Sequence, residues 1–240
     1  MPTGFRELDP PADLAGHVAS LWRRDVPTGS ATGPALVLPD GCSDIMWLDD
    51  GTTVTTLVAG PDTVAQLAAL PPGSRMAGLR FVPGAAAAFL GLPLDELRDL
   101  RVPLAELWGS AADELAESAA QATRPELALA AAVRCRRDAA PDPSVGAIVR
   151  AVEHGTGPGV VGRLAGHLGL SERQLQRRCR TAFGYGPKTL QQVLRFQRAL
   201  QRARDGDRLA DVAAATGYAD QAHLARDTRR LAGVPLTALL

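Results

Sequence analysis

Arginine and glutamine side chains recur at helical spacing in two similar segments near the end of the chain. The first segment, residues 164–184, reads LAGHLGLSERQLQRRCRTAFG, and the second, residues 212–233, reads VAAATGYADQAHLARDTRRLAG. Arginine can donate two hydrogen bonds to the major-groove edge of guanine, and glutamine can pair with adenine in the same groove. Two short helices with these side chains could read one face of a DNA duplex without a dimer.

The residue types in each segment fit two short helices joined by a tight turn. Gly169 and Gly217 suit the positive φ that follows the end of a helix. Ser171 and Asp220 are good N-caps for the helix that comes next. We expect four side chains to face inward: Leu175, Cys179, Leu224 and Thr228. The outward positions are then Arg173, Gln176, Arg177 and Arg180 in the first helix and Gln221, His223, Arg226, Arg229 and Arg230 in the second. The alternative is an ordinary helical bundle with a solvated, charged face.

Charge is distributed unevenly along a chain whose formal net charge is zero. From Ser144 onward there are 15 basic and 7 acidic residues, a net charge of +8, whereas residues 1–143 carry −8. We therefore expect only the C-terminal part to meet a polyanion. Lys188 is the single lysine, and arginine enrichment suits contacts with phosphate and guanine. GC-rich codon usage explains that enrichment equally well.

Composition excludes several classes of protein. The chain has 240 residues, of which 46% are hydrophobic, so it can bury a core, and no apolar run is long enough to span a bilayer. The N-terminus lacks the pattern of a secretory signal, which predicts a cytoplasmic protein. Three widely spaced cysteines do not form a disulfide framework or a zinc site, and we expect no metal and no cofactor.

The pattern before residue 140 is β-rich first and helical later. We expect a short helix from Pro11 to Ser20 and two strands around a turn at residues 39–41. Further strands are expected in TTVTTLVAGP, VAQLAAL and RMAGLRFVP, followed by helices in AAAAFLGL, LDELRDL and LAELW and over residues 111–122 and 125–138. Residues 139–144, AAPDPS, are the best candidate for a linker.

After this linker the pattern is helical throughout. Ser144 is expected to cap a helix of about ten residues. A long helix that begins at Pro187 separates the two similar segments, and Asp205 marks its end. Its length would set the distance between them.

The C-terminal residues resemble the DNA-binding domain of the AraC/XylS family of bacterial transcription regulators. The motifs that carry the resemblance are GLSERQLQRRC, FGYGPKTL, RFQRAL, LADVAAATGYADQAHLAR and RRLAGVP. The resemblance implies seven helices, with two helix-turn-helix units joined by a long helix, and two recognition helices in successive segments of the major groove. By position, Arg173, Gln176 and Arg177 match the family's base-facing residues in the first unit, and Ala222, His223 and Arg226 match them in the second.

This sequence departs from the family at a few positions. Cys179 and Thr228 stand where the family has buried phenylalanines, and Ala222 can offer only a contact with a thymine methyl group. These departures suggest that the second helix reads DNA less specifically than the first.

Residues 1–110 resemble a small domain found ahead of such DNA-binding domains in actinobacterial proteins. The shared motifs are VASLW, LPDGCSDIMW, AGP, GLRFVPGAAAAFLGLPLDELRD and VPLAELWG. The resemblance implies a small β-rich unit followed by helices. If this unit senses a ligand, Trp22, Trp47 and Phe81 are candidates for the pocket wall; the alternative is that all three are core residues.

Catalytic patterns are absent from the sequence. It contains no GxSxG, no HExxH, no phosphate-binding loop and no metal-ligand spacing. Asp40, Cys42 and Asp44 cluster on one turn, where the two carboxylates are expected to cap turns. A nucleophilic Cys42 is the alternative. We expect the protein not to be an enzyme.

The expected fold is α+β, with a β-rich N-terminal domain at residues 1–140 and an all-α double helix-turn-helix domain at residues 141–240. The expected function is sequence-specific transcription regulation, modulated through the N-terminal domain by a small-molecule effector or by homodimerisation. Double-stranded DNA is the expected partner, with Lys188, Arg195 and Arg198 on phosphates. The alternative is a ligand-binding or protein-interaction module whose helical part docks on a protein such as RNA polymerase.

Overall fold

A computed structural model describes residues 4–29, 33–136, 142–154 and 159–240. We refer to residues 4–136 as the N-terminal part and to residues 142–240 as the C-terminal part. The predicted linker and the expected domain boundary at residue 140 fall mostly outside the described residues.

The N-terminal part is built on antiparallel β-strands. In chain order these are β1 (Phe5–Leu8), β2 (Val18–Asp25), β3 (Ala35–Val37), β4 (Asp44–Asp49), β5 (Val54–Ala59), β6 (Gln66–Ala68), β7 (Arg75–Phe81) and β8 (Arg101–Pro103). Six of them form one sheet in the order β1-β2-β7-β4-β5-β8, and β3 pairs with β6 in a separate ribbon.

Register decides which side chains of the large sheet are buried in the core. Leu21 lies opposite Leu79, and Leu79 lies opposite Ile45, so these three side chains share one face. All three are buried in a cluster with residues of the helices that cover this face. On the other face Trp22 lies opposite Gly78, where an added Cβ would come within 2.0 Å of the indole. Glycine at this position therefore lets the Trp22 ring lie flat on the strand.

Four helices complete the N-terminal part. They are α1 (Ala86–Leu90), α2 (Ala105–Trp108), α3 (Ser110–Gln121) and α4 (Pro125–Cys135), with a 3-10 turn at Leu94–Glu96. Buried leucines and alanines of α3 and α4, such as Leu115 and Leu129, pack in the same core as Leu79.

The predicted helix from Pro11 to Ser20 is wrong. Residues 12–17 form turns, in which the Leu14 carbonyl accepts from the N–H groups of His17 and Val18, and β2 then begins. Ladder bonds to β7 and the burial of Leu21 outweigh the local helical pattern. Strand β8 was not expected, and of the expected helix in LDELRDL only Leu94–Glu96 is helical, as a 3-10 turn.

The C-terminal part is entirely helical in its described residues. Its helices are α5 (Pro143–His154), α6 (Val160–His167), α7 (Glu172–Phe183), α8 (Pro187–Arg204), α9 (Leu209–Ala215) and α10 (Gln221–Ala232), followed by a 3-10 turn at Leu236–Ala238. These seven elements agree with the number that the resemblance implies, and together the two parts form the expected α+β fold.

The start of α5 differs from the prediction by a small shift. Ser144 lies inside the helix, and Asp142 takes the capping position, because its Oδ1 accepts the Ser144 N–H at 2.8 Å. The Ser144 hydroxyl instead accepts a hydrogen bond from Arg178 of α7 at 2.9 Å. Ser144 therefore joins two helices rather than capping one.

The two parts contact each other through α7, α8 and α10. Phe183 of α7 lies against Gly84, and Gln197 of α8 donates to the Pro39 carbonyl at 2.7 Å. The Ala65 N–H donates to the Leu231 carbonyl of α10, also at 2.7 Å. The N-terminal part therefore touches the long helix and both helices that follow the predicted turns.

Candidate nucleic-acid interface

The first helix-turn-helix unit consists of α6, a turn and α7. Gly169 has φ of +63°, as its place in the turn requires. Ser171 and Gln174 form a reciprocal capping box, in which the Ser171 side chain accepts the Gln174 N–H and Gln174 accepts the Ser171 N–H. Leu175 and Cys179 are fully buried, so both predicted inward positions are confirmed. Burial raises the pKa of the Cys179 thiol to about 12.

The second unit, α9 and α10, repeats this geometry. Gly217 has φ of +79°, and Asp220 Oδ1 accepts the His223 N–H at 2.6 Å as the N-cap. Leu224 and Thr228 are buried, as the repeat predicted. The Thr228 hydroxyl has no hydrogen-bond partner among the described residues. The polar group thus sits at an inward position where the resemblance implies an apolar ring.

Helix α8 holds the two units in one body. Leu190, Val193 and Leu200 face a core that also contains Leu175 of the first unit and Leu224 of the second. Because this single cluster spans both units, their separation is set by packing as well as by the length of α8.

The outer face of α7 carries arginines that are free to meet a ligand. Arg173, Arg177 and Arg180 are exposed, and none makes an ion pair or hydrogen bond within the described chain. Gln176 is half-buried, because its amide lies against Gly186 at the start of α8. The spacing of these side chains places them on one side of the helix.

The outer face of α10 has fewer free groups. Gln221, Ala222, Arg226 and Arg229 are exposed. His223 is half-buried, its Nδ1 accepts the Ala219 N–H at 3.4 Å, and its ring meets Tyr218 edge-on at 5.1 Å. The guanidinium of Arg230 is bound to Asp227 at 2.6 Å.

Asp227 is the centre of a polar cluster that the sequence did not reveal. Its carboxylate accepts hydrogen bonds from Arg195 at 2.9 Å, from Arg230 at 2.6 Å and from the Tyr218 hydroxyl at 3.2 Å. The Arg195 guanidinium also lies 4.1 Å from the centre of the Tyr218 ring. In the sequence Asp227 is only one acidic residue within a predicted helix. Its partner Arg195 is far away along the chain, so no local spacing indicates the pair.

These contacts change the titration of the cluster. Burial favours the protonated form of Asp227, but hydrogen bonds and charge from Arg230 and Arg195 outweigh it and lower its pKa. Burial, together with the nearby Asp227 carboxylate, raises the pKa of Tyr218 to about 12. Asp227 is therefore a carboxylate at neutral pH.

The three predicted phosphate contacts lie in different surroundings. Lys188 is exposed in the first turn of α8. The Arg195 side chain is only 15% exposed and is bound to Asp227. Arg198 donates to the Glu153 carbonyl of α5. Two of the three are therefore bound inside the C-terminal part.

The three aromatic residues expected at a ligand pocket do not line one cavity. Trp47 and Phe81 are fully buried on the helix-covered face of the sheet, and the Trp47 Nε1–H donates to the Ala116 carbonyl at 3.3 Å. Trp22 lies on the opposite face and stacks on Phe5, with ring centres 5.9 Å apart. Trp47 and Phe81 are thus core residues, the alternative that the sequence left open.

The turn that holds Cys42 is organised by charge. Asp40 accepts the Cys42 N–H at 2.9 Å, which confirms it as a turn cap, whereas Asp44 belongs to β4 and forms a paired hydrogen bond with Arg80 at 3.0 and 3.1 Å. Burial and the Asp40 charge raise the pKa of the Cys42 thiol well above its usual range. A thiol in this state is a poor nucleophile.

Metal-binding groups and membrane-spanning helices are both absent from the described residues. These residues contain no group of three or more side chains that could hold a metal ion. Nor is any helix among them both long and apolar enough to cross a membrane.

Each part of the chain matches one model of a known protein family. Residues 164–240 match a family model described as a helix-turn-helix domain. The match begins inside α6 and covers the rest of the first unit and the whole of the second. The C-terminal part is an AraC-type helix-turn-helix domain. Residues 6–103 match a model described as a domain of unknown function (DUF6597). The helix-turn-helix match supports a DNA-binding role for residues 164–240.

Comparison with individual proteins finds only distant likeness. No curated protein matches the chain. Among solved structures, ToxT from Vibrio cholerae O395 is 10% identical with a TM-score of 0.47, over 98% of this chain and 97% of that one. An apo variant of ToxT from Vibrio cholerae strain SCE256 is 12% identical with a TM-score of 0.43, over 92% and 97% of the two chains.

Proposed function

We propose that the chain is a sequence-specific transcription regulator that reads one DNA duplex with α7 and α10. The observation that carries this proposal is the free outer face of α7, where Arg173, Arg177 and Arg180 are exposed and unpaired beside a rigid turn. A guanidinium bound to a neighbouring carboxylate would have to break that pair before it met a base, whereas these three would not.

The proposed contacts follow from which groups remain available. On α7 they are Arg173, Gln176, Arg177 and Arg180, and on α10 they are Gln221, Ala222, His223, Arg226 and Arg229. Arg230 can join them only by leaving Asp227. Lys188, in the first turn of α8, is proposed to contact a phosphate. Arg195 and Arg198 stay outside the proposal, since their guanidinium groups are bound within the protein.

We further propose that the N-terminal part is a separate domain that modulates DNA binding through a small molecule or through dimerisation. Two separate buried clusters, one in each part, support this division near residue 140. The face of β2 that points away from the covering helices supports a ligand. Ser20, Trp22 and Arg24 alternate along it, are more than nine-tenths buried, and each has a side-chain donor without a partner in the described chain.

The chemistry of these donors indicates the type of ligand. A hydroxyl, an indole N–H and a guanidinium all donate, and Arg24 forms no ion pair with any described carboxylate. A buried donor without a partner, such as the Nε–H of Arg24, is costly, so an acceptor-bearing or anionic molecule would complete the face.

The DNA-binding proposal is tested by selecting bound duplexes from a random library with the full chain. Arg177→Ala should then weaken binding to the selected duplex by about 1–3 kcal/mol and relax the preference at one base pair. Arg6→Ala, which removes an exposed arginine from β1, is the charge-matched control. Unchanged affinity for Arg177→Ala at fixed salt would rule out α7 as the reader. If no duplex is selected, docking of the helical part on a protein such as RNA polymerase becomes the remaining hypothesis.

The effector proposal is tested by thermal unfolding of the full chain with fractionated cell metabolites. A fraction that binds the folded chain raises its melting temperature. Arg24→Gln should remove the shift while Arg6→Ala keeps it. An equal shift of the melting temperature in Arg24→Gln would show that this face of β2 does not bind the ligand. Sedimentation of the chain with the same fraction shows whether dimerisation accompanies binding.

A further inference from the structure

One loop of the N-terminal part touches both proposed reading helices. It comprises residues 60–65, directly after β5, and we call it the strap. Pro61 lies against Gly184, the residue that ends α7, so closely that a Cβ added there would be 2.4 Å from Pro61 Cγ. Four residues later, the Ala65 N–H donates to the Leu231 carbonyl in the last turn of α10.

Both contacts fall at the same place on the two helices. The last carbonyls of a helix have no partner within the helix, so the Ala65 N–H satisfies a group that would otherwise need water. The N-terminal turns of α7 and α10 stay clear of the strap, with Arg173, Gln221 and Ala222 exposed. In helix-turn-helix units the N-terminal residues of the reading helix contact the base edges. The strap therefore holds both helices at the ends that point away from that contact.

The near end of the strap is anchored to the N-terminal part by an ion pair. Asp62 is largely buried and receives two hydrogen bonds from Arg101 of β8, at 2.6 and 2.8 Å. The Gly60 N–H donates to the Leu100 carbonyl at 3.0 Å. The two anchors tie the strap to the first residue of β8 and to the residue before it.

A second anchor depends on a residue with unusual backbone geometry. Asp99 has φ of +60°, the single positive value outside glycine among the described residues. Its carboxylate accepts the Thr63 N–H at 2.6 Å and the Thr63 hydroxyl at 2.8 and 3.0 Å, and its own N–H donates to the Pro61 carbonyl at 3.2 Å. A left-handed conformation is costly for a residue with a side chain, and it persists here where the side chain fixes the strap.

We propose that the strap is a positioning element that sets the angle between α7 and α10, and with it the spacing of the two base-pair groups that the chain reads. This inference rests on the proposed function for its DNA readout. Helix α8 and the shared core fix how far apart the two units are. The strap adds a second connection, between the C-terminal ends of α7 and α10. Tilting one unit against the other must therefore break a contact of the strap.

Asp99→Gly is the sharpest variant for a test. Glycine accepts the positive φ without strain, so the backbone is kept while the acceptor for Thr63 is lost. Asp99→Asn is the matched control, because asparagine also tolerates this conformation and retains a side-chain acceptor. Thr63→Val, which removes only the hydroxyl bonds, gives a milder second variant if Asp99→Gly lowers stability. Thermal unfolding of each variant checks that the chain is folded.

The first readout is tolerance of altered operator spacing. With the selected duplex, inserting or deleting one base pair between the two groups should weaken wild-type binding about tenfold or more. Asp99→Gly should reduce this penalty to about threefold, with Asp99→Asn close to wild type. An undiminished penalty in folded Asp99→Gly would overturn the proposal.

The second readout needs no DNA. Spin labels at Arg173→Cys and Gln221→Cys, in a background of Cys42→Ala and Cys135→Ser, report the distance between the two helices. The distribution should broaden or shift in Asp99→Gly and stay narrow in Asp99→Asn. If wild type selects no duplex, the DNA-binding proposal fails while this distance still decides the role of the strap, and an unchanged distribution would reject it.

Discussion

The two helix-turn-helix units share their turns and caps but differ in how they stabilise their second helices, α7 and α10. In the first unit the inward positions Leu175 and Cys179 are apolar or weakly polar, and three arginines of α7, Arg173, Arg177 and Arg180, have no partner in the described chain. In the second unit the buried Asp227 binds Arg195 and Arg230, and the outer face of α10 loses one free guanidinium. In the first copy, three arginines of the motif are therefore left unpaired at the surface, whereas in the second copy one arginine of the motif is bound to a buried carboxylate.

Removing Asp227 should have the largest effect on the second unit. Asp227→Ala leaves Arg195, largely buried, without its carboxylate, and we expect a loss of about 3–5 kcal/mol in the free energy of unfolding. Urea unfolding at neutral pH measures it. Asp211→Ala, an exposed acid on α9, should change stability little; a similar loss in both variants would contradict the assignment.

Acid should reproduce the loss of Asp227 more gradually. Because its pKa is lower in the folded than in the unfolded chain, Asp227 stabilises the fold above the unfolded value of about 3.9. This contribution disappears as pH falls through the folded value. The stability gap between wild type and Asp227→Ala should therefore narrow below about pH 4, and a constant gap would argue against an ionised Asp227.

The glycines that end α7 and α10 allow a direct comparison of the two units. Gly184 and Gly233 have φ of +79° and +73°, so alanine at either should cost about 1–2 kcal/mol. Gly233 has open space around its Cβ position, whereas Gly184 faces Pro61 and the Leu94 carbonyl. Gly184→Ala should therefore lower the free energy of unfolding by about 1–3 kcal/mol more than Gly233→Ala, which is the usual penalty of overpacking. Urea unfolding of both variants measures the difference. Equal losses of unfolding free energy in the two variants would show that Pro61 and the Leu94 carbonyl can move away from Gly184 at no cost.

Arginines of the two units should differ in their effect on DNA binding. Arg177→Ala removes a free guanidinium, whereas Arg230→Ala removes one that is bound to Asp227. We expect a loss of about 1–3 kcal/mol in affinity for the first and less for the second, measured on the selected duplex at one salt concentration. The reverse order would mean that Arg230 leaves Asp227 when DNA binds.

The smallest effect is expected at Thr228, and it should be a gain. Its hydroxyl is fully buried without a partner in the described chain, and valine has nearly the same shape. Thr228→Val should raise the free energy of unfolding by about 1 kcal/mol. Cys179→Ser, which puts a hydroxyl at the corresponding buried position of the first unit, should lower it. A loss in Thr228→Val would indicate an unseen partner for the hydroxyl.

Local spacing in the sequence determined the two helix-turn-helix units. The caps at Ser171 and Asp220, the positive φ at Gly169 and Gly217 and the four inward positions all depend on residues within a few places of one another. Such features follow from helix periodicity and backbone preference, and the structure confirms each of them.

Only the tertiary structure decided what depends on distant segments. Sheet register placed Trp22 and Trp47 on opposite faces, and pairing with β7 turned part of the predicted helix at 11–20 into strand. Arg195 meets Asp227, and Asp99 fixes the strap, across separations that no local pattern records. These features arise because burial and strand pairing depend on which residues meet in space. A side chain that the local pattern predicts to be exposed can therefore bind a charged group far along the chain.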